Sequence, residues 1–209
     1  MTDANNNVTT YNYDLQDRLD DIVYDDASII DYTYDKMSNL SAKTDQNGDT
    51  TTYSYDDVYR LEAKTYEDFS TVTYAYYDDG TLKDVVDASG AIHYNYNEWN
   101  ELTQVTYPGG GVVSYGYDEL GNRTSITYPS GKVVSYSYDI MNRMETVTLE
   151  GGSPKVSTYT WNEVSQREGL TLPNGSVVDY TYDTLNRLEG LTNTTSTSSD
   201  IASFAYTLG

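Results

Sequence analysis

The sequence predicts an all-β chain of tandem antiparallel β-hairpins, each about 21 residues long, forming one curled or spiralling sheet. Three observations carry that expectation. An aromatic-x-aromatic motif recurs from end to end. The residues around it alternate with a period of two. Turn signals fall between the alternating stretches. The first aromatics are Tyr11, Tyr32, Tyr53, Tyr74, Tyr94, Tyr115, Tyr136, Tyr159, Tyr180 and Phe204, at steps of 21, 21, 21, 20, 21, 21, 23, 21 and 24 residues. The two longest steps contain the insertions EGGSPK (150–155) and NTTSTSSD (193–200).

Each unit reads as two strands. The returning strand is clearest in VVSYGY (112–117), VVSYSY (133–138) and VVDYTY (177–182). Successive strand side chains point to opposite faces, so Val134, Tyr136 and Tyr138 share one face while Val133, Ser135 and Ser137 share the other. Across units the second face is small or polar: Thr33, Ser54, Ala75, Asn95, Gly116, Ser137, Thr160, Thr181. The outgoing strand starts near Leu19, Leu40, Leu61, Leu82, Leu102, Met144 and Leu188. A β-branched column follows at Val23, Thr44, Thr65, Val86, Thr106, Thr127, Thr148, Thr171 and Thr192, which suits strand and disfavours helix. Ladders of aromatic and β-branched contacts along the sheet are expected.

YPSGK (128–132), YPGGG (107–111), LPNGS (172–176) and DQNGD (45–49) supply the positive φ that closes a hairpin. At the other end of each hairpin an acid follows the second aromatic. The repeated positions are Tyr11, Tyr13 and Asp14; Tyr32, Tyr34 and Asp35; Tyr53, Tyr55 and Asp56; Tyr115, Tyr117 and Asp118; Tyr136, Tyr138 and Asp139; and Tyr180, Tyr182 and Asp183. Asn97 and Asn162 replace the acid in two units and Tyr77 in a third. Asp and Asn both accept backbone N–H bonds in an Asx-turn, whereas a catalytic carboxylate does not tolerate amide replacement, so the acid reads as a turn cap. Arg18, Arg60, Arg143 and Arg187, four residues on, suggest intermittent pairing with it.

Composition narrows the function classes. Tyr occurs 24 times against two Phe and two Trp, so bulk comes from an aromatic with a polar tip. A net charge of −21 argues against nucleic acid and anionic membranes, and leaves room for divalent cations. There is no cysteine, and no apolar run reaches membrane-spanning length. MTDANNNVTT lacks the basic and apolar regions of a signal peptide.

Other candidate sites have plainer explanations. YPGGGVVSYG leads into a strand rather than a helix, so it reads as a turn and not a phosphate cradle. Asp45, Asn47 and Asp49 alternate as calcium ligands do, but the glycine is one place early for an EF-hand loop, and a turn is expected. His93, the single histidine, is expected as an exposed strand residue. Trp161 is expected to pack in the Tyr ladder and Trp99 to lie exposed in a loop, where aromatics could stack on sugars. Five Asn-x-Ser/Thr sequons occur at Asn7, Asn39, Asn122, Asn174 and Asn193, a number chance explains in this composition.

With these motifs in hand, the chain resembles the RHS/YD-repeat family. The resemblance rests on YNYDLQDRL (11–19), YSYDDVYRL (53–61), YGYDELGNRTSITYPSG (115–131), YSYDIMNRM (136–144) and YTYDTLNRL (180–188). It implies a spiralling hairpin sheet that builds a hollow shell, as in bacterial toxins that enclose a payload, insecticidal toxin complexes and teneurins. The family's core-terminating region, self-cleavage site and variable toxin domain do not occur among these residues.

The expectation is therefore a single YD-repeat array over 1–209, with about nine full repeats and partial units at both ends, drawn from a longer protein. Its function is read as non-enzymatic and structural: a shell segment of a large secreted or cell-surface protein, enclosing a payload or extending from the cell. One alternative is a glycan-binding or adhesive module using the Tyr face. Another is a self-assembling filament subunit joined through open strand edges. The expected partners are further YD repeats of the same or a neighbouring chain, and glycans or an enclosed toxin domain, without nucleic acid or membrane insertion. No cofactor is expected beyond the calcium reading, and the location is extracellular or cell-surface.

Overall fold

A computed structural model describes residues 1–206. Thr207, the last residue of the expected FAYT strand, lies outside them. The described residues hold nineteen β-strands and no helix. They divide into two compact units, the first of Met1–Asn95 with Thr106–Gly110, the second of Tyr96–Val105 with Gly111 onward.

The first unit carries β1 (Thr10–Tyr13), β2 (Leu19–Val23), β3 (Ile29–Tyr34), β4 (Leu40–Thr44), β5 (Thr50–Tyr55), β6 (Leu61–Thr65), β7 (Thr71–Tyr76), β8 (Leu82–Asp87) and β9 (Gly90–Tyr96) up to Asn95. Each pairs antiparallel with the next. The second unit carries β10 (Leu102–Thr106) up to Val105, β11 (Val112–Tyr117), β12 (Arg123–Thr127), β13 (Val133–Tyr138), β14 (Met144–Leu149), β15 (Lys155–Trp161), β16 (Arg167–Thr171), β17 (Val177–Tyr182), β18 (Leu188–Thr194) and β19 (Asp200–Ala205). From β11 to β19 the same antiparallel succession holds.

Almost every connection uses one turn. Asp17 N–H donates to the Asp14 carbonyl, Asp14 N–H to the Arg18 carbonyl, and Asp17 sits at φ 58°. This is a type I turn closed by a left-handed residue. The same bonds recur at Tyr24–Ser28, at the other end of the hairpin. Hairpin turn and inter-unit loop are therefore one device, and each unit is a plain meander. Gly48 and Gly131 take the left-handed position at φ 90° and 77°, but Tyr59 and Phe69 hold it at 64° and 62°, where a bulky residue is strained.

A register shift precedes the second aromatic in eight repeats: Tyr13 pairs with Leu19 whereas Asn12 pairs with Asp21, leaving Asp20 bulged. The same shift recurs before Tyr34, Tyr55, Tyr76, Tyr117, Tyr138, Trp161 and Tyr182. The bulge changes which residues oppose the aromatics. It changes the parity of the outgoing strand, so Tyr11 faces Ile22, Tyr136 faces Val147 and Tyr180 faces Leu191. The β-branched column one residue on lies on the opposite face: Thr127 pairs with Ser114, Thr148 with Ser135 and Thr65 with Thr52. That face is small because its pairs approach closely. A Cβ on Gly116 would meet Ser125 Oγ at 2.6 Å, and one on Gly169 would meet Thr160 Oγ1 at 2.7 Å.

Burial is slight. Among the described residues only Val105, Val113 and Ile126 form a buried apolar set, and no side chain is completely enclosed. Each unit is thus held by cross-strand pairs and polar joints rather than by a core, which suits repeats that contact mainly their neighbours.

Candidate functional site

The repeated Tyr and Asp positions converge on the loop that follows each aromatic pair. Asp139 shows the arrangement. Its Oδ1 accepts the N–H groups of Met141 and Arg143 at 2.9 and 3.0 Å. Its Oδ2 accepts Arg143 Nε at 2.7 Å and lies 2.6 Å from Nη2. Asp14, Asp56 and Asp183 bind their loops and Arg18, Arg60 and Arg187 in the same way. Asp35 and Asp118 bind Asn39 and Asn122 instead.

The amide replacements follow a rule. Asn97 Oδ1 accepts the N–H groups of Trp99 and Glu101, while its Nδ2 donates to Glu101 Oε2 at 2.7 Å. Asn162 does the same with Val164, Gln166 and Gln166 Oε1. An acid cap thus stands before a donor side chain, and an amide cap before an acceptor. The Arg pairing is intermittent, as its spacing suggests, and Asn39, Asn122, Glu101 or Gln166 fills the partner position in the other capped loops.

The residue that pairs with the cap also reaches the next loop. Arg18 Nη1 donates to Ser38 Oγ at 3.0 Å, Arg143 Nη1 to the Asn162 carbonyl at 3.1 Å, and Gln166 Nε2 to the Asn186 carbonyl at 2.9 Å. Asn122 Nδ2 donates to Asn142 Oδ1.

The second aromatic supplies another joint. The hydroxyl of Tyr34 donates to the Leu19 carbonyl, fifteen residues back and one unit earlier, at 2.8 Å. Tyr55, Tyr76, Tyr117, Tyr138 and Tyr182 donate at the same separation to Leu40, Leu61, Leu102, Arg123 and Arg167. Trp161 does so through Nε1 to the Met144 carbonyl at 2.8 Å. Phenylalanine would fill the ladder but could not form this bond, which accounts for tyrosine at the second aromatic position. Partial burial raises the Tyr55, Tyr76 and Tyr117 phenols above their ordinary value, which keeps them protonated donors. Basic side chains lie over the rings: Arg18 over Tyr34 at 4.4 Å, Arg60 over Tyr76 at 4.6 Å and Lys43 over Tyr32 at 5.9 Å.

The carboxyls of these caps lie below the usual aspartate value. The backbone N–H of Arg18 is the main cause for Asp14 and that of Arg187 for Asp183. The side-chain donors of Asn39, Asn122 and Arg143 are the main causes for Asp35, Asp118 and Asp139.

Residues 5–207 match the teneurin YD-shell family. The chain belongs to this family. Solved shells have the same fold. The crystal structure of TcdB2-TccC3-Cdc42 matches with a TM-score of 0.80 at 14% identity, over 96% of this chain and 12% of that one. TcdB2-TccC3-TEV matches at 0.79 and 13% identity, over 96% and 12%. The Tc holotoxin pore of Photorhabdus luminescens matches at 0.64 and 13% identity, over 96% and 13%. This YD-shell segment therefore spans about an eighth of the length of those chains. No curated protein matches its sequence.

The remaining candidates of the YD-shell chain are local. His93 is half-buried rather than exposed, because Asp84 lies opposite it across β8 and β9, with His93 Nδ1 2.6 Å from Asp84 Oδ1. Its Nε2 faces Asn95 Oδ1 at 3.2 Å and the Tyr77 hydroxyl at 3.5 Å, and that hydroxyl donates to the Tyr94 carbonyl at 3.0 Å. Tyr77, where other units place the cap, thus reaches across the next hairpin. Asp45 Oδ1 accepts the N–H groups of Asn47 and Asp49 at 2.8 and 3.1 Å, an Asx-turn like the caps. Among the described residues no group of three acidic or histidine side chains is arranged to hold a metal. Of the sequons, Asn7, Asn39 and Asn122 use their amides in turn bonds to Asp3, Asp35 and Asp118.

Proposed function

We propose that this chain is a wall segment of a large secreted or cell-surface YD-repeat protein, without catalytic activity, and that the wall encloses a payload or extends from the cell. In this reading residues 1–209 are one array of about nine units within a longer protein. One observation carries it: the repeated polar groups bind one hairpin to the next rather than converging on a ligand. Six capping acids accept two loop N–H groups each, and seven second-position aromatics donate to the preceding unit. Cations over several rings also leave those faces less open to a sugar than a bare Tyr surface would be.

Electron cryomicroscopy of the full-length protein tests the reading. The expected result is an enclosed volume or an extended rod whose wall contains this segment. A separate globular module folded against a catalytic domain would overturn it.

A further inference from the structure

The second unit has an unexplained apolar edge. Its five post-aromatic loops are 97–101, 118–122, 139–143, 162–166 and 183–187. Their tips display Trp99, Leu120, Ile140 with Met141, Val164 and Leu185, exposed by 73, 76, 105, 57, 62 and 70%. At the opposite ends of these strands Tyr128 and Leu149 are exposed by 42 and 37%, but the turn tips Pro129-Ser130 and Ser196-Thr197 carry no large apolar side chain. Side chains this exposed add little to folding, and a recurring apolar row on an acidic protein marks an interaction surface.

We infer that this edge docks against the same edge of a second copy of the chain, with the two rows antiparallel. Strands lie ~4.8 Å apart, so the tips recur about every 10 Å, and another array of the same hairpins presents tips at that interval. Charge selects the direction. The loops of Trp99 and Leu120 carry Glu98, Glu101, Asp118 and Glu119 with no basic residue, whereas the Leu185 loop balances Asp183 with Arg187. Antiparallel docking sets the acidic end of one row over the balanced end of the other, while parallel docking would place acid on acid.

The upper part of the available area reaches that of a standard interface. At ~60–120 Å² for each aliphatic and ~150–250 Å² for Trp99, one row offers roughly 450–850 Å². A standard interface takes about 800 Å² from each partner. A recess of about 350 Å³ lined by Trp99, Leu120, Gly121 and the carboxylates of Glu101, Asp118 and Glu119 lies on this edge. The net charge of −21 opposes contact between copies, so association strengthens as salt screens it.

Sedimentation equilibrium of the whole chain at about 0.01 M and about 1 M salt tests this, because the Debye length falls from ~30 to ~3 Å over that range. A monomer at low salt and a dimer at high salt are expected. Leu120→Glu with Ile140→Glu should weaken the dimer at least ~tenfold while leaving the strand circular dichroism signal unchanged. Phe69→Glu, at an exposed tip on the opposite edge of the first unit, should leave the dimer intact. The chain has no cysteine, so Trp99→Cys mixed with Leu185→Cys should crosslink, and Trp99→Cys alone should not. A monomer at both salts, or a dimer that survives the double variant, overturns the proposal. Tip-dependent sedimentation with phosphatidylcholine vesicles in place of dimerisation would also overturn it and assign the edge to a lipid surface. None of these outcomes bears on the wall-segment reading.

Discussion

Trp161 donates from its indole Nε1 to the Met144 carbonyl at 2.8 Å, filling the place where Tyr138 and Tyr182 use a hydroxyl. The separation is seventeen residues rather than fifteen because the hairpin between them carries the longer EGGSPK turn. The acceptor remains the first residue of the preceding outgoing strand. Trp161→Tyr should therefore keep the bond and most of the stability. Trp161→Phe and Tyr138→Phe should each lose about 1 kcal/mol, lowering Tm by roughly 2–4 °C in thermal melts. Equal melting of the Tyr and Phe variants at position 161 would show that the bond contributes nothing.

The cap and its partner should behave as a matched pair. Asp139→Asn sets an amide against the Arg143 guanidinium and loses the ion pair at 2.6 Å. Arg143→Gln added to it recreates the Asn162–Gln166 arrangement. The single variant should melt lower than the double variant. A double-mutant cycle measures the coupling directly, and strict additivity would refute the pairing rule.

Acid should loosen the array in a defined window. The caps at Asp14, Asp35, Asp118, Asp139 and Asp183 are depressed below the ordinary aspartate value of 3.8. Below that value the unfolded chain binds more protons than the folded one. Their contribution is therefore complete above about pH 4 and disappears as pH falls further. Melts from pH 7 to 2 should show Tm falling below about pH 4, less steeply in the Asp139→Asn, Arg143→Gln double variant. A Tm that rises instead would mean that relief of acidic repulsion dominates.

Phe69 occupies a left-handed turn position at φ 62° and is 87% exposed, so its ring gains little from packing where it is strained. Gly48 occupies the equivalent place one unit earlier. A left-handed residue other than glycine costs about 1–2 kcal/mol, and glycine's extra chain entropy offsets about 0.5–1 kcal/mol of the gain. Phe69→Gly should raise Tm by a degree or more. A lower Tm would reveal a contact made by the ring.

Much of this architecture is legible because one unit, read many times, exposes its own grammar. The period of two gives the strand over 133–138, and the leucines at 19, 40 and 61 mark the first residues of β2, β4 and β6. The face of the β-branched column is not legible, because a bulge at Asp20 or Glu145 inverts parity without leaving a glycine or proline as a sign. The target of the Tyr hydroxyl is hidden for another reason. It is a backbone carbonyl one unit away, and backbone atoms leave no trace in the pattern of side chains. The matched partners of the caps stood in plain view as Asp before Arg or Asn, and Asn before Glu or Gln. The donor and acceptor chemistry of the two positions read together would have found them. The half-burial of His93 is not legible because its partner Asp84 lies on another strand, at a register that one strand's sequence does not fix.

The reach of Tyr34 to Leu19, and no farther, has an evolutionary consequence. Every joint closes within one repeat length, so duplication of one such stretch of gene adds a hairpin that arrives with both halves of its fastening. No existing joint must be rebuilt to receive it. A protein made this way changes size by counting, and its length becomes a trait that ordinary copying slippage can tune.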